Sequence, residues 1–471
     1  MIIKAILKPI FDSFFKSIIG ATLIVSGLIK ANDTIGFGIK LSDYFQDGAL
    51  AYRVQDMFGW SSFSLEWLMD YSLYLAIFIC VLEIVLGFCL IVGARIKETV
   101  FLLMSMLLFF LVLTLHTATC PGGTSAVAQV EIQCVSDCGC FGDALKFTPW
   151  GSFMKDLVLI ILLIISSIIT FDLHKVKKNR PFKVSYLNSL FDDLFDIIFT
   201  FIFTLIWCII VSWYFPLLMV FIFFIVYFLI KSYYSSEVLI VLAISIVSLA
   251  FCNYTLNNLP IKDFRQYKIG TDVKADPLFS FSQNCNDCIP EVIIESTCLP
   301  NLPIDCIHPD ACNYNPDWIN HPDYNPALPE DWRCHFEEGH PKYAKGDQCE
   351  DCLEHEYIES KLVQLESLIL FISDDFNKSE KSVYSDINLL KKQLNTNGII
   401  NAYSFAGDPP SKREVSEILD GNNFLYADPE MSKMMIRSNP GILLMQNGII
   451  TQKWHYNNMP DIDEVLKILN D

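Results

Sequence analysis

The chain has 471 residues, is 52% hydrophobic and carries a formal charge of −19. Residues 253–471 hold 35 acidic and 18 basic side chains, so that part carries −17, while the first 252 residues are nearly neutral and rich in Leu, Ile, Phe and Val. Such a division implies a membrane half followed by an acidic, water-soluble half, and the lack of a basic, aromatic-interleaved surface sets nucleic acid aside as a partner.

A bilayer core about 30 Å thick needs roughly 20 mainly apolar residues per spanning helix. Seven stretches qualify, at about 11–30, 69–93, 98–117, 152–171, 192–213, 215–231 and 236–252. The fifth and sixth are separated only by Trp213-Tyr214-Phe215-Pro216, where a proline suits an interfacial turn, so the count is seven spans, or five or six if that pair is re-entrant. The first stretch follows Lys4 and Lys8 and is read as a retained helix, not a cleaved signal peptide, because a similar apolar load follows it.

Cations set the expected orientation. Lys4 and Lys8 precede the first span, Arg95 and Lys97 separate the second from the third, and Lys175, Lys177, Lys178, Arg180 and Lys183 follow the fourth. The intervening loops, 31–68 and 118–151, hold few. The amino terminus is then cytoplasmic, and the 118–151 loop faces the other compartment, as does everything after residue 252.

Glu83 sits near the middle of the second span, in Val-Leu-Glu-Ile-Val-Leu-Gly. An ionisable residue in lipid is costly and marks a functional candidate. The alternative is a bundle-facing protonated Glu bonded to a neighbour. Lys16 is the nearest partner in depth, unless it snorkels to the cytoplasmic side.

The 118–151 loop carries Cys120, Cys134, Cys138 and Cys140, four of the sixteen cysteines, within 21 residues. Thiols packed this closely at a membrane surface do redox chemistry, bind a metal or staple the loop. The catalytic candidates are Cys138 and Cys140, with Cys120 and Cys134 structural or resolving and Glu83 handling a proton. Asp137 and Asp143 flank the pair, and their charge opposes thiolate formation.

Several motifs resemble one family. Ser26-Gly-Leu-Ile-Lys30 with Gly36-Phe-Gly-Ile-Lys40-Leu-Ser-Asp-Tyr-Phe45 looks like the start of the DoxX/MauE superfamily of small membrane bundles. Glu83-Ile-Val-Leu-Gly87 and Cys138-Gly-Cys-Phe-Gly142 fit the MauE, methylamine-utilisation branch, and Asn258–Gly270 resembles the post-membrane segment of fused members common in Bacteroidota. The resemblance covers about 10–172, that segment and the tail. It implies a four-helix membrane core in a bacterial inner membrane, thiol–disulfide chemistry on an exported or periplasmic protein with cysteines and, from DoxX relatives, a quinone as electron acceptor. No other cofactor is implied, and no substrate is named.

Residues 271–360 are loop-like and hold Cys285, Cys288, Cys298, Cys306, Cys312, Cys334, Cys349 and Cys352. An even number in a core-poor segment outside the cytoplasm reads as a disulfide framework. Cys285, Cys288, Cys349 and Cys352 have the spacing of a four-thiolate zinc site, which stays open beside exchange-active thiols. Asp310-Ala-Cys-Asn-Tyr-Asn-Pro316 resembles short repeats of secreted Bacteroidota proteins, which favours disulfides.

Residues 361–471 lack cysteine and alternate strands with helices: strand 368–372, helix 380–395, strand 399–405, helix 411–419, strand 424–427, helix 429–437, strands 441–446 and 449–455, helix 461–469. That order is thioredoxin-like. Ser438-Asn439-Pro440, followed by a strand and Asn447-Gly448, resembles the thioredoxin segment whose proline is cis. Where an active thioredoxin carries Cys-x-x-Cys, this chain has Ser373-Asp-Asp-Phe-Asn-Lys-Ser379, so the tail lacks the nucleophile.

The expected architecture is a polytopic α-helical membrane bundle, a cysteine-rich segment and an α/β thioredoxin-like domain. The boundaries are 1–172 for the DoxX/MauE-like four-helix domain, 173–252 for about three additional helices, 253–360 for the cysteine-rich segment and 361–471 for the tail. Three functions remain open: a membrane thiol–disulfide protein, a non-catalytic membrane-anchored assembly factor, and a structural protein whose loop cysteines are permanently bridged.

Overall fold

The computed structural model describes residues 2–125, 127, 129–135, 139–178, 182–234, 236–276, 278, 279, 281, 282, 362–406, 418, 419 and 424–470. They form two compact units, Met1–Leu256 with Pro260–Lys262, and Asn257–Leu259 with Asp263–Asp471. Cys138, all eight cysteines from 285 to 352, and all but the last two residues of the helix expected at 411–419 lie outside the described residues.

The first unit is helical: α1 (Ile2–Asn32), α2 (Thr34–Phe45), α3 (Ala51–Phe58), α4 (Ser72–Val92), α5 (Ile96–Ala118), α6 (Pro149–Lys178), α7 (Phe182–Ile210), α8 (Phe215–Tyr233) and α9 (Glu237–Asn257). Among the described residues six helices are long and apolar enough to cross a bilayer: Ile10–Asn32, Glu66–Val92, Ile96–Ala118, Pro149–Phe171, Phe215–Tyr233 and Glu237–Asn257. The chain is therefore a multi-pass membrane protein. The seventh expected span, 192–213, falls on α7, where Leu194–Ile210 forms a further, shorter apolar helix among the described residues. The turn at Trp213–Pro216 is present, with Pro216 in the first turn of α8.

Helix α1 is the hub, packed on α4, α6 and α7. Small residues let it approach α4 closely, which strengthens dispersion contact where lipid supplies no hydrophobic drive. A Cβ added at Gly20 would lie 2.6 Å from the Gly87 carbonyl oxygen, and one at Gly27 would lie 2.7 Å from Ile84 Cγ1. The 31–68 connection, expected as a loop, is largely helical. Asp33 caps α2 by accepting the Gly36 N–H at 2.9 Å, and Gly59 ends α3 at φ +70°.

The second unit is built on a mixed sheet of β1 (Phe281–Ser282), β2 (Ser367–Ser373), β3 (Asn401–Ala406), β4 (Phe424–Ala427), β5 (Gly441–Gln446) and β6 (Ile449–His455), in the order β1-β4-β3-β2-β5-β6. Strands β2, β3 and β4 are parallel; β5 runs antiparallel to β2 and β6 antiparallel to β5. Helices α10 (Tyr384–Thr396), α11 (Pro429–Met435) and α12 (Ile462–Asn470) complete it. Between its terminal serines β2 is apolar, because both its faces are covered. Leu368, Leu370 and Ile372 join a core with Tyr267, Phe279 and Met431, while Ile369 and Phe371 join another with Ile387, Leu390 and Val465. Asn447 and Gly448, both at positive φ, turn the β5–β6 hairpin, and the Asn439–Pro440 bond is cis.

Candidate functional site

A buried ion pair lies under the cysteine loop. Lys30 Nζ on α1 sits 2.8 Å from Glu83 Oε1 on α4, with both side chains almost fully enclosed. The partner of Glu83 is therefore Lys30, not Lys16. Lys16 pairs with Asp12 at 2.9 Å and lies 3.8 Å from Asp196, roughly four turns away along α1. Matching by depth failed because the long Lys30 side chain reaches along the helix to Glu83. The Lys30 ammonium also lies over the rings of Phe110, at 4.4 Å, and Phe37, at 5.1 Å, which offset part of its desolvation.

Ser26, one turn before Lys30, links this pair to the loop. Its hydroxyl donates to the Cys140 carbonyl at 2.8 Å and lies 3.4 Å from Glu83 Oε2. Cys140 is buried, and Gly139 and Gly142 on either side take φ of +61° and +50°, which bulkier residues rarely adopt. A turn bond from Gly142 N–H to Gly139 O closes this knuckle at 3.0 Å. Phe141 is buried and stacks on Trp207 of α7 with centroids 4.9 Å apart.

The rest of the loop is pinned from outside the knuckle. Cys120 and Cys134 are joined by a disulfide that closes the loop. Asp56 of α3 accepts from Ser125 Oγ at 2.8 Å and from the Val127 N–H at 3.0 Å, and the Gln133 N–H bonds Gly48 O at 3.0 Å.

Between loop and bundle lies a small cavity whose lining includes Thr22, Ser26, Lys30, Glu83, Cys140, Lys155 and Asp156. Lys155 Nζ lies 2.9 Å from Asp156 Oδ1, and Thr114 Oγ1 donates to Asp156 Oδ2 at 3.1 Å. Two ammonium–carboxylate pairs thus share a cavity with one thiol-bearing residue. Cations near sulfur favour a thiolate and carboxylates take up its proton, so the lining can support thiol chemistry. Of the expected site residues, Glu83 and Cys140 meet here, while Cys120 and Cys134 bridge the loop elsewhere.

Ser26, Lys30, Lys155 and Asp156 were not singled out by sequence as site residues. Lys155 and Asp156 stand inside the 152–171 stretch, where the rule that flagged Glu83 applies equally. No cluster of metal-binding side chains occurs among the described residues, and the zinc alternative at Cys285, Cys288, Cys349 and Cys352 lies outside them.

In the second unit Pro440 adjoins a polar patch. Ser373 Oγ donates to Asn439 Oδ1 at 2.7 Å, and Asn439 Nδ2 donates to the Asp375 carbonyl at 2.8 Å. The Asp374 carboxyl beside them is raised above its usual range by burial.

Fold and site together define a multi-pass membrane protein with a paired-charge cavity under a disulfide-closed loop. The chain matches no family model, no curated protein and no solved structure.

Proposed function

We propose that this is a MauE/DoxX-type membrane protein that carries out thiol–disulfide chemistry on exported proteins through Cys138-Gly139-Cys140. The observation that carries the reading is the seat of Cys140, bonded through its carbonyl to Ser26 and lining the cavity that holds Glu83 and Lys30. In the oxidised form the Cys138–Cys140 bond accepts two electrons from a partner dithiol. One partner thiolate attacks a loop sulfur, the second resolves the mixed disulfide, and the loop is left as two thiols. Re-forming the loop disulfide needs a two-electron oxidant, which a quinone in the bilayer would supply, while Glu83 takes up a loop proton.

Cys138→Ser and Cys140→Ser variants are each expected to insert normally, to trap no mixed disulfide with a periplasmic protein and to leave the partner thiols reduced. Partner oxidation at the wild-type level in both variants would reduce the loop to a staple. Orientation belongs to the same reading. With α7 crossing beside the six longer helices, alkaline phosphatase fused after residue 145 or 300 should be active and after 178 inactive, and an inactive fusion at 300 would leave six crossings and the tail in the cytoplasm.

A second reading, a membrane-anchored assembly factor, is favoured by the tail. Its β3-β2-β5-β6 order, with the first pair parallel and the last two strands antiparallel, supports a thioredoxin-like domain, and Ser373 stands beside Pro440 where such a domain carries its thiols. On that reading the surface around Pro440 binds a protein without exchanging electrons.

A further inference from the structure

A second set of charges that the loop chemistry does not use is enclosed in the bundle, at the end away from the cysteine loop. Asp12 and Lys16 of α1 pair at 2.9 Å, and Asp196 of α7 lies 3.8 Å from the same ammonium. Thr170 Oγ1 of α6 donates to Asp12 Oδ1. All four residues are buried, with 9% of the Asp12 side chain and 10% of the Lys16 side chain still open. Asp12 stands two residues inside the span Ile10–Asn32, and so close to the membrane boundary. Ionisable groups inside spanning helices are costly and mark ion or proton routes.

Hydroxyls lead from this cluster to the loop cavity. Ser17 Oγ donates to the Asp196 carbonyl at 3.2 Å and accepts from Thr200 Oγ1 at 3.1 Å. Higher on α1, Thr22 Oγ1 accepts from Trp207 Nε1 at 3.0 Å, and Thr22 lines the cavity with Ser26, Glu83 and Asp156. Ser17 and Thr22 are about 7.5 Å apart in helix rise. Thr204 stands opposite that gap. Thr200, Thr204 and Trp207 lie at i, i+4 and i+7 of α7, and the outer two both bond α1, so the face they share meets α1. Thr204 is fully buried, and its hydroxyl has no hydrogen-bond partner among the described residues. Ser166, one turn from Thr170 on α6, is buried with its hydroxyl in the same state. An unmet buried hydroxyl is rare, and an ordered water is its usual partner.

We propose that this seam between α1, α6 and α7 is a proton path that joins the Asp12–Lys16–Asp196 cluster to the loop cavity. A proton from the aqueous side adds to a carboxylate of the cluster. It moves by way of the Ser17 and Thr200 hydroxyls to water held at Thr204, then past Thr22 to Glu83 or Asp156. Each hydroxyl or water accepts one proton and gives up another, so only O–H bonds are made and broken and the seam keeps its charge. Lys155, 18% exposed and 2.9 Å from the enclosed Asp156, opens the cavity end. A metal cation would need several oxygen ligands at each level, whereas the stretch from Ser17 to Thr22 offers single hydroxyls, which suit a proton. The path ends on carboxylates, so it does not depend on the loop cysteines exchanging electrons.

The test uses the full-length protein in phosphatidylcholine liposomes loaded with the pH dye pyranine, with valinomycin and a potassium gradient driving protons inward. The wild type should acidify the lumen at least ten-fold faster than protein-free liposomes. Asp12→Asn and Asp196→Asn should each bring the rate to within two-fold of the protein-free value. Thr204→Val keeps the side-chain shape without the hydroxyl and should slow the flux at least five-fold, while Thr204→Ser should retain at least half of the wild-type rate. No disulfide or quinone enters the assay, so the loop reading can fail while the path stands, and the reverse. A wild-type rate equal to that of protein-free liposomes would overturn the path. So would an unchanged rate in Asp196→Asn or Thr204→Val, and the Thr204 pair decides the matter if the Asn variants fail to insert.

Discussion

Lys30→Met is expected to cost the helical unit about 3–5 kcal/mol, the largest effect of a single change in the bundle. The substitution leaves Glu83 enclosed, with Ser26 as its remaining polar contact at 3.4 Å and that hydroxyl already committed to Cys140. An uncompensated buried carboxylate must either pay its desolvation or take up a proton, and both lower stability. Removing the two charges together is different. The double variant Lys30→Met, Glu83→Leu replaces an ion pair with apolar volume, and such replacements are often neutral or stabilising, so it should recover to within about 1 kcal/mol of wild type. Detergent-driven unfolding followed by circular dichroism would give the double-mutant cycle. A loss in the double variant equal to the summed losses of Lys30→Met and Glu83→Leu would show that the two residues are not coupled.

Asp263→Asn is the second large expected effect, in the other unit. Asp263 accepts from Arg265 Nε at 2.8 Å and from Lys453 Nζ at 3.0 Å, and both cations are buried. Burial raises the Asp263 carboxyl, but Arg265 and Lys453 outweigh it and hold it at about 2, below its ordinary 3.8. Burial, with Arg265 adding to it, brings Lys453 down to about 8. The amide variant strands two buried cations and should cost about 3–5 kcal/mol, read as lost hydrogen-exchange protection in β2, β5 and β6 of the full-length chain.

The pH dependence follows from the signs. For Asp263 the folded value is below the unfolded one, so its stabilisation is full above about pH 4 and is lost as pH falls towards 2, on the order of 2 kcal/mol. For Lys453 the folded value is also the lower. From pH 8 to about 10.5 the unfolded chain holds the extra proton, and stability rises across that window. Protection in the wild type should therefore fall on acidification below pH 4, and Asp263→Asn should abolish that particular loss.

The membrane character of the first unit and the succession of strands along the tail were legible because each rests on local chemistry. Twenty apolar residues have one low-energy fate in a bilayer. The run Leu368–Ile372, with alternate residues committed to opposite cores, has one in a sheet buried on both faces. The Asn447-Gly448 hairpin was equally plain, since two consecutive positive φ values call for those residues.

The site divides the same way. Glu83 announced itself by being charged in an apolar run, and the cysteine loop by its density of thiols. The pairing of Glu83 with Lys30, the bond from Ser26 to Cys140 and the addition of Lys155 and Asp156 to the cavity were not legible. Each joins residues 53 or more positions apart on different elements. Hydropathy and spacing report how one segment meets its solvent. Which side chains then face each other depends on helix rotation and approach, here governed by Gly20 and Gly27 against α4, and those follow from packing the whole bundle at once.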